Sequence, residues 1–207
     1  MSADALPTID GRRARRDQNR DRVVDALLDI YREGHLQPSV AEVATRSGVS
    51  HRSVFRYFED LDELYRVAVE RQLLSIFDRL VISAIGEGSL DDRVEAIIEN
   101  RQGIYDVAAE VARVGQMLAP VEPIIAEHHR DMAERAVAQV AQHFAVELSA
   151  LPADRRASTQ EALAVVLSID SIDYLRHVRG LTRQESTAAI RATLHGLLAA
   201  PTPPSRS

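Results

Sequence analysis

Residues 39–58, SVAEVATRSGVSHRSVFRYF, contain two short helical patterns separated by a glycine. Ser39 and Glu42 have the spacing of a capping box, in which a hydroxyl and a carboxylate each bind a free amide at a helix start. Gly48 follows the first pattern where a helix ends in a left-handed residue, which glycine adopts without steric cost. Ser50 is suited to cap a second helix. The stretch therefore predicts two helices joined by a tight turn.

The two faces of this predicted unit differ in character. The inward face is apolar and consists of Val40, Val43, Ala44, Val49, Val54 and Phe58. The outward face of the second helix can hydrogen-bond or stack and consists of His51, Arg52, Ser53, Arg56 and Tyr57. Three arginines against one glutamate give residues 39–58 a net charge of +2, which suits a phosphate surface. Two short helices joined in this way place the second one in the major groove of DNA, so the stretch predicts a helix-turn-helix unit.

The run over residues 38–65, PSVAEVATRSGVSHRSVFRYFEDLDELY, resembles the DNA-binding head of the TetR (tetracycline-repressor) family. The resemblance lies in an apolar first helix, the A-x-x-x-G-V-S turn at Gly48, an aromatic-x-x-F block ending at Phe58, and an acidic helix start ending in Leu64. It covers about residues 13–70, and the remainder is similar to the family only in length and helical layout.

The resemblance implies a homodimeric regulator that binds a palindromic DNA operator, usually as a repressor, and releases it when a small molecule binds the C-terminal body. The residues that it implies for base reading are His51, Arg52, Ser53 and Arg56. Those that it implies for phosphate binding are Ser39, Ser50 and Tyr57. The basic segment that can reach the DNA backbone or the minor groove contains Arg12, Arg13, Arg15 and Arg16.

Two positions depart from the family pattern. The family often has a phosphate-binding Tyr where this chain has Phe55, and a phosphate-binding Lys where it has Leu61. We expect the basic segment to supply the missing affinity, because phosphate contacts position the protein without reading sequence and can replace one another. The alternative for that segment is a solvated helix face, since Asp17 and Asp21 can pair with its arginines.

The composition favours helices throughout the chain. Hydrophobic residues make up 45% of the 207 residues but aromatic ones only 4%, so aliphatic side chains fill most of the core. Period-two alternation and hairpin turns are absent from the sequence. We predict an all-α protein of about nine helices. Its expected parts are a flexible arm at residues 1–11, a helix-turn-helix head at 12–60, a larger effector-binding and dimerisation body at 61–200, and a disordered tail at 201–207.

Glycines, prolines and caps predict where the helices of the body begin and end. The fourth helix is expected to end near residue 85, and a break before residue 104 is expected to separate the next two helices. Long helices are expected over residues 123–148 and 155–179. Thr182 opens a capping box for the last helix, which is expected to end near residue 200.

Other classes of protein find little support in the sequence. The chain has no Cys, which excludes disulfides and thiolate chemistry. It shows no pairing of nucleophile and base and no converging metal ligands, so we predict no enzyme activity, no cofactor and no metal. It has no signal peptide and no apolar stretch of membrane length, which leads us to expect a cytoplasmic protein. The net charge of −6 comes entirely from residues 61–207, whereas residues 12–22 carry a local charge of +4.

Several side chains of the body have the chemistry of a ligand pocket. The candidate effector contacts are Tyr105, Met117, His129, Met132, Asp170 and Asp173. Core packing is the alternative role for the tyrosine and the two methionines. Asp170, Asp173 and His177 repeat along one helical face. Three roles are open for this face: it lines a ligand pocket, it pairs with Arg across a dimer interface, or it faces solvent. His128 and Asp131 have the spacing of a metal pair, but a solvated helix face is the favoured interpretation.

The apolar residues of the last two long helices predict a dimer interface. They are Leu163, Val166, Leu167, Ile169, Ile172, Ile190, Leu194, Leu197 and Leu198. Two such helices from each subunit can form a four-helix bundle about a two-fold axis. The sequence leaves two alternatives to a ligand-responsive regulator. One is a constitutive DNA-binding protein without an effector, and the other is an all-α enzyme or scaffold that contains a helical hairpin by chance.

Overall fold

The computed structural model describes residues 9–35 and 37–199, and within these ranges all regular structure is helical. The helices are α1 (Ile9–Arg32), α2 (Val40–Ser47), α3 (His51–Tyr57), α4 (Leu61–Leu80), α5 (Leu90–Leu118), α6 (Pro123–His143), α7 (Ala145–Ala150), α8 (Ala153–Val166), α9 (Ile169–Asp173) and α10 (Arg183–Leu198), with a π-helical turn at Tyr174–Val178. The predicted all-α class is confirmed, with ten α-helices in the described ranges against about nine expected. The predicted tail at 201–207 and residues 1–8 of the predicted arm lie outside the described residues.

Helix α5 is continuous where two helices are predicted from the sequence. Gly103 lies inside it, and a Cβ atom built on Gly103 meets nothing within 4 Å. Val94, Ile97 and Ile98 of the same helix are buried in the core. The predicted break before residue 104 is therefore wrong, because glycine lowers helix propensity without ending a helix that packing supports.

Two other predicted helices are each divided. After α6, Phe144 leaves the helical conformation with φ −112° and ψ 29°, and its fully buried ring packs in the core before α7 begins. After α8, Ser168 has an extended backbone, and its hydroxyl accepts a hydrogen bond from the Ser171 amide at the start of α9. Neither break contains glycine or proline, so the punctuation of the sequence does not reveal it.

Helix α4 ends at Leu80 rather than near residue 85, because side chains from α5 and α6 cap it. Asn100 Nδ2 donates to the carbonyl oxygen of Arg79 at 2.6 Å, and Gln139 Nε2 donates to that of Leu80 at 2.6 Å. Arg101 joins these two caps, since it donates to Asn100 Oδ1 and to Gln139 Oε1, each at 2.7 Å. Burial lowers the pKa of Arg101 to about 10.

Contacts between residues define two compact units. Unit 1 comprises the chain up to residue 75 together with residues 110–126, and unit 2 comprises residues 76–109 together with the chain from residue 127 onward. The core of unit 1 includes Val23, Val24, Leu27, Val43, Val54, Phe58, Leu64 and Val114. Parts of α4 and α5 therefore pack with the helix-turn-helix, in addition to the predicted head at residues 12–60.

The core of unit 2 contains most of the residues from which a dimer interface is predicted. Six of the nine have at most 5% of their surface exposed: Leu163, Leu167, Ile172, Ile190, Leu194 and Leu198. Since one chain already buries them, they leave almost no surface for a partner. Of the predicted residues, Val166, Ile169 and Leu197 are half-buried, so an interface on these helices would use them together with other exposed residues.

A buried histidine in unit 2 binds the loop that follows α4. The Gly86 amide donates to His143 Nδ1 at 3.1 Å, and His143 Nε2 lies 2.9 Å from the carbonyl oxygen of Arg93. The neutral ring satisfies both contacts, with Nδ1 as acceptor and Nε2–H as donor. Burial lowers the pKa of His143. The hydrogen bond to the backbone of Arg93 opposes this effect, as does the charge of Glu147, whereas the charges of Arg93 and Arg101 lower the pKa further.

Lowering the pH should destabilise the protein through His143. Its pKa is lower in the folded chain, so below about pH 6.5 the unfolded state takes up a proton that the folded state resists. We expect the free energy of unfolding to fall through this residue as the pH is lowered from about 7 to about 5, and to be unaffected by it above about pH 7. Urea denaturation at a series of pH values measures the loss.

The matched control for this measurement is His143→Gln, which keeps an acceptor and a donor but does not titrate. The free energy of unfolding of this variant should fall less steeply in acid than that of the unmodified chain. Equal losses in the two proteins would show that His143 does not carry the effect.

Candidate nucleic-acid interface

The turn between α2 and α3 has the predicted geometry. Gly48 has φ +70° and ψ 27°, and its amide donates to two carbonyl oxygens at the end of α2. The capping box is present, with Ser39 Oγ bound to the Glu42 amide and the Glu42 carboxylate bound to the Ser39 amide. Ser50 Oγ accepts a hydrogen bond from the Ser53 amide at 3.2 Å and starts α3. Local side chains therefore set both ends of the turn.

The buried side of α3 determines which residues face outward. Val54, Tyr57 and the following Phe58 are exposed by 2%, 6% and 2%. At 100° per residue, the positions opposite this side are Arg52 and Arg56, both of which are exposed. His51 is exposed and Ser53 is half-buried, so they lie toward the two edges of the outward face.

Tyr57 is buried, although the sequence pattern places it on the outward face. Its hydroxyl accepts hydrogen bonds from Asn19 Nδ2 and from Arg56 Nη2, each at 3.2 Å. Burial acts to raise the pKa of Tyr57, but the hydrogen bonds from Arg56 and Asn19 outweigh it and leave the pKa below its usual value. Tyr57 thus holds Arg56, whose guanidinium also lies 5.2 Å from the centre of the Tyr57 ring. A phosphate contact by Tyr57 stays a prediction.

Charged side chains of α1 connect it to α4 within unit 1. Arg20 Nη2 lies 2.7 Å from Glu63 Oε1, and its guanidinium lies 4.9 Å from the centre of the Phe58 ring. Arg71 pairs with both Asp21 and Asp25 of α1, at 2.5 and 2.7 Å. Arg20, Asp21, Asp25 and Arg71 do not belong to the helix-turn-helix motif, so the sequence pattern does not predict these contacts.

The predicted basic segment belongs to a helix. Because α1 begins at Ile9, its first turns contain the four exposed arginines Arg12, Arg13, Arg15 and Arg16. The two positions that depart from the family pattern are also exposed, Phe55 by 52% and Leu61 by 41%. The exposed side chains of α1 and α3 together form a candidate surface for DNA in unit 1.

The candidate effector contacts are divided between the two units. Met117 belongs to unit 1 and is 57% exposed, whereas the other five belong to unit 2. Tyr105 is buried and donates its hydroxyl hydrogen to Asp173 Oδ1 at 2.9 Å. Burial lowers the pKa of the half-buried His129, partly offset by the charge of Asp170. Met132 is half-buried on α6.

The face shared by Asp170, Asp173 and His177 ends at the π-helical turn. Hydrogen bonds there join residues five apart, as from the Arg179 amide to the Tyr174 carbonyl oxygen, so a seven-residue spacing no longer returns to the same face. Asp170 lines an open groove of about 390 Å³ in unit 2 together with Val166, Ser171, Tyr174, Leu175, Ala189, Ile190 and Thr193. His177 is exposed.

No group of three or more His, Asp or Glu side chains in the part of the chain that the structure describes is placed to hold a metal ion. No helix in the described ranges has the length and apolarity that crossing a membrane requires.

Solved structures share this fold. A protein assigned as a transcriptional regulator of Streptomyces coelicolor A3(2) is 19% identical, has a TM-score of 0.64, and matches 88% of this chain and 99% of its own. A transcriptional regulator of Rhodococcus sp. Rha1 is 21% identical, with a TM-score of 0.66 over 86% and 95% of the two chains. A protein assigned to the TetR family of transcriptional regulators, from Syntrophomonas wolfei, is 14% identical, with a TM-score of 0.59 over 90% and 97%.

No protein-family model matches the sequence, and the search of curated proteins finds no relative. The similarity is therefore one of fold. The resemblance to the TetR family predicted from residues 38–65 is confirmed at that level, since a protein of that family has the same all-α fold over nearly its whole length.

Replacing Gly48 with Ala should destabilise the chain by about 1–2 kcal/mol, because a side chain strains a left-handed backbone. The new Cβ would also lie 2.6 Å from Arg22 Nη2, which is the movable end of a long side chain. Gly103→Ala is the control, and we expect it to stabilise α5 by up to about 1 kcal/mol. Urea denaturation of both variants measures the difference, and similar effects at the two sites would contradict the role of the Gly48 turn.

Proposed function

We propose that this chain is a sequence-specific DNA-binding transcriptional regulator of the TetR type. The observation that carries the proposal is the outward face of α3, where Arg52 and Arg56 lie opposite the buried side of a capped helix-turn-helix. Two guanidinium groups one helical turn apart suit bidentate contacts with the edges of guanine bases. The fold shared with solved regulators supports the same function.

The proposed regulator acts as a homodimer on a palindromic operator and represses transcription. The surface proposed to bind the partner subunit lies in the same region as the dimer interface predicted from the sequence, but it consists of different residues. Val165, Tyr174 and Val178 are exposed by 62%, 52% and 64%, which is unusual for apolar side chains so close in sequence. The open groove beside Tyr174 adds apolar surface to the same region of unit 2.

A small molecule bound by unit 2 is proposed to release the DNA. The support lies in polar groups held within an apolar unit, above all the hydrogen bond between Tyr105 and Asp173. Arg176 adds a positive charge there, since its guanidinium lies 4.8 Å from the centre of the Tyr105 ring. The alternative is a constitutive regulator without an effector, and it is favoured by the openness to solvent of the groove that contains Asp170.

Arg52→Ala and Arg56→Ala should each remove about 1–3 kcal/mol of preference for the operator over unrelated DNA, because each loses a base contact. The operator for this test is a duplex enriched from a randomised pool by the full chain. Fluorescence anisotropy with this duplex and with a scrambled one measures the two affinities. If an arginine contacts only phosphates, its loss will weaken both duplexes equally, and the proposed reading of bases by that residue is then wrong.

The comparison variant replaces Arg12, Arg13, Arg15 and Arg16 with Ala. It should weaken binding to both duplexes alike and reduce the dependence of affinity on salt, because each lost phosphate contact releases about one counterion fewer. An unchanged salt dependence would contradict the role of the basic segment.

The dimer should be sensitive to a charge placed on the proposed interface. We expect the unmodified chain to sediment as a dimer at micromolar concentration and Val165→Glu to sediment as a monomer, because an unpaired carboxylate is costly to bury. Val146→Glu is the control, since Val146 is 67% exposed on α7, which is not one of the proposed interface helices. A monomeric unmodified chain would contradict the proposal, as would an equal effect of the two substitutions.

A further inference from the structure

Phe55 presents an apolar ring on the outward side of α3. Its side chain is 52% exposed, although the neighbouring Val54 is 2% exposed. At 100° per residue, Phe55 lies between the buried side of the helix and the arginine positions opposite it. His51, one turn earlier, lies on the same edge of the helix and is also exposed. This edge of α3 is therefore aromatic, whereas the middle of its outward face carries the arginines.

The two rings on this edge contact each other. The centres of His51 and Phe55 lie 5.2 Å apart, with an angle of 62° between the ring planes. Edge-to-face pairs of this kind are favourable and restrict the rotation of both side chains. The Phe55 ring is therefore held in place before any DNA is bound.

The width of the major groove determines what this edge can meet. A helix with its side chains is about 10–12 Å across and the groove is about 12 Å wide, so the edges of α3 face the walls of the groove. The walls are sugar–phosphate backbone, and the floor beside them consists of base edges that present polar donors and acceptors and the C5-methyl group of thymine. Phe55 has no donor or acceptor, so covering a polar group would remove its water without replacing the hydrogen bond. The thymine methyl is the apolar group that matches the ring.

We infer that Phe55 contacts the methyl group of a thymine and makes the chain select thymine at that position of each half-site. The inference rests on the proposed DNA binding and adds a specificity-determining residue to it. Where the family often has a tyrosine that binds phosphate, this chain exchanges a contact common to all sequences for one that depends on sequence.

The experiment replaces each thymine of the enriched duplex, one at a time, with deoxyuridine. Deoxyuridine lacks the C5-methyl group but keeps its base pairing and its O4 acceptor. For the unmodified chain, each half-site should contain one thymine whose replacement, taken singly, weakens binding about fourfold, which is the effect of losing one buried methyl group. For Phe55→Ala, the same substitution should leave the affinity unchanged. Fluorescence anisotropy measures each dissociation constant.

Two further variants make the result specific. Phe55→Leu keeps an apolar side chain and should keep most of the preference for thymine. Arg52→Ala should bind the enriched duplex more weakly, but deoxyuridine should weaken its binding by the same factor as for the unmodified chain. An enriched duplex in which no deoxyuridine weakens binding would overturn this inference alone. So would an equal deoxyuridine effect in the unmodified chain and Phe55→Ala. Failure to enrich any sequence would overturn the proposed function and this inference with it.

Discussion

The direction of α3 depends on one backbone conformation, the left-handed turn at Gly48 with φ +70°. Helix α2 ends there, and α3 begins after two more residues with the cap at Ser50, so the connection has little freedom to reorient. Val54 and Phe58 are then buried on one side of α3. The exposed residues of α3 take their positions from this turn and from this core.

Polar contacts add a second level of order to unit 1. The Tyr57 hydroxyl binds both Asn19 of α1 and Arg56 of α3, and Arg20 of α1 binds Glu63 of α4. Exposed ion pairs contribute little to stability one by one, so their main effect is on the placement of side chains. The core of unit 1 supplies the stability, and these contacts orient the side chains at its surface.

The sequence predicts helix ends well where the cap lies within a few residues of the end. Ser39, Gly48, Ser50 and Thr182 all have the predicted role, because each capping bond is made within one helical turn. The end of α4 is different, since Asn100 and Gln139, which cap it, are 21 and 59 residues away from the carbonyl groups that they bind. Helical patterning contains no information on such distant pairs.

The candidate site shows the same division between local and distant information. The motif predicts which residues lie on α3, but it does not reveal that the Tyr57 hydroxyl accepts a hydrogen bond from Asn19, 38 residues away. For a related reason, the sequence does not reveal that six of the nine predicted dimer residues are buried in the core of their own chain. An apolar stripe at helical spacing looks the same in sequence whether it faces the core of its own chain, as Leu163 and Leu194 do, or a partner.

The hydrogen bond between Asn19 and Tyr57 has a consequence for any attempt to transfer the proposed reading of bases by α3 to another protein of this fold. A graft of α3 alone would carry Arg56 and Tyr57 into a scaffold whose first helix lacks the amide that Tyr57 binds. The grafted arginine would then sample more rotamers than it does here and would discriminate less well between bases. The smallest segment that would transfer the proposed base reading is therefore the one from α1 through α3, and not α3 alone.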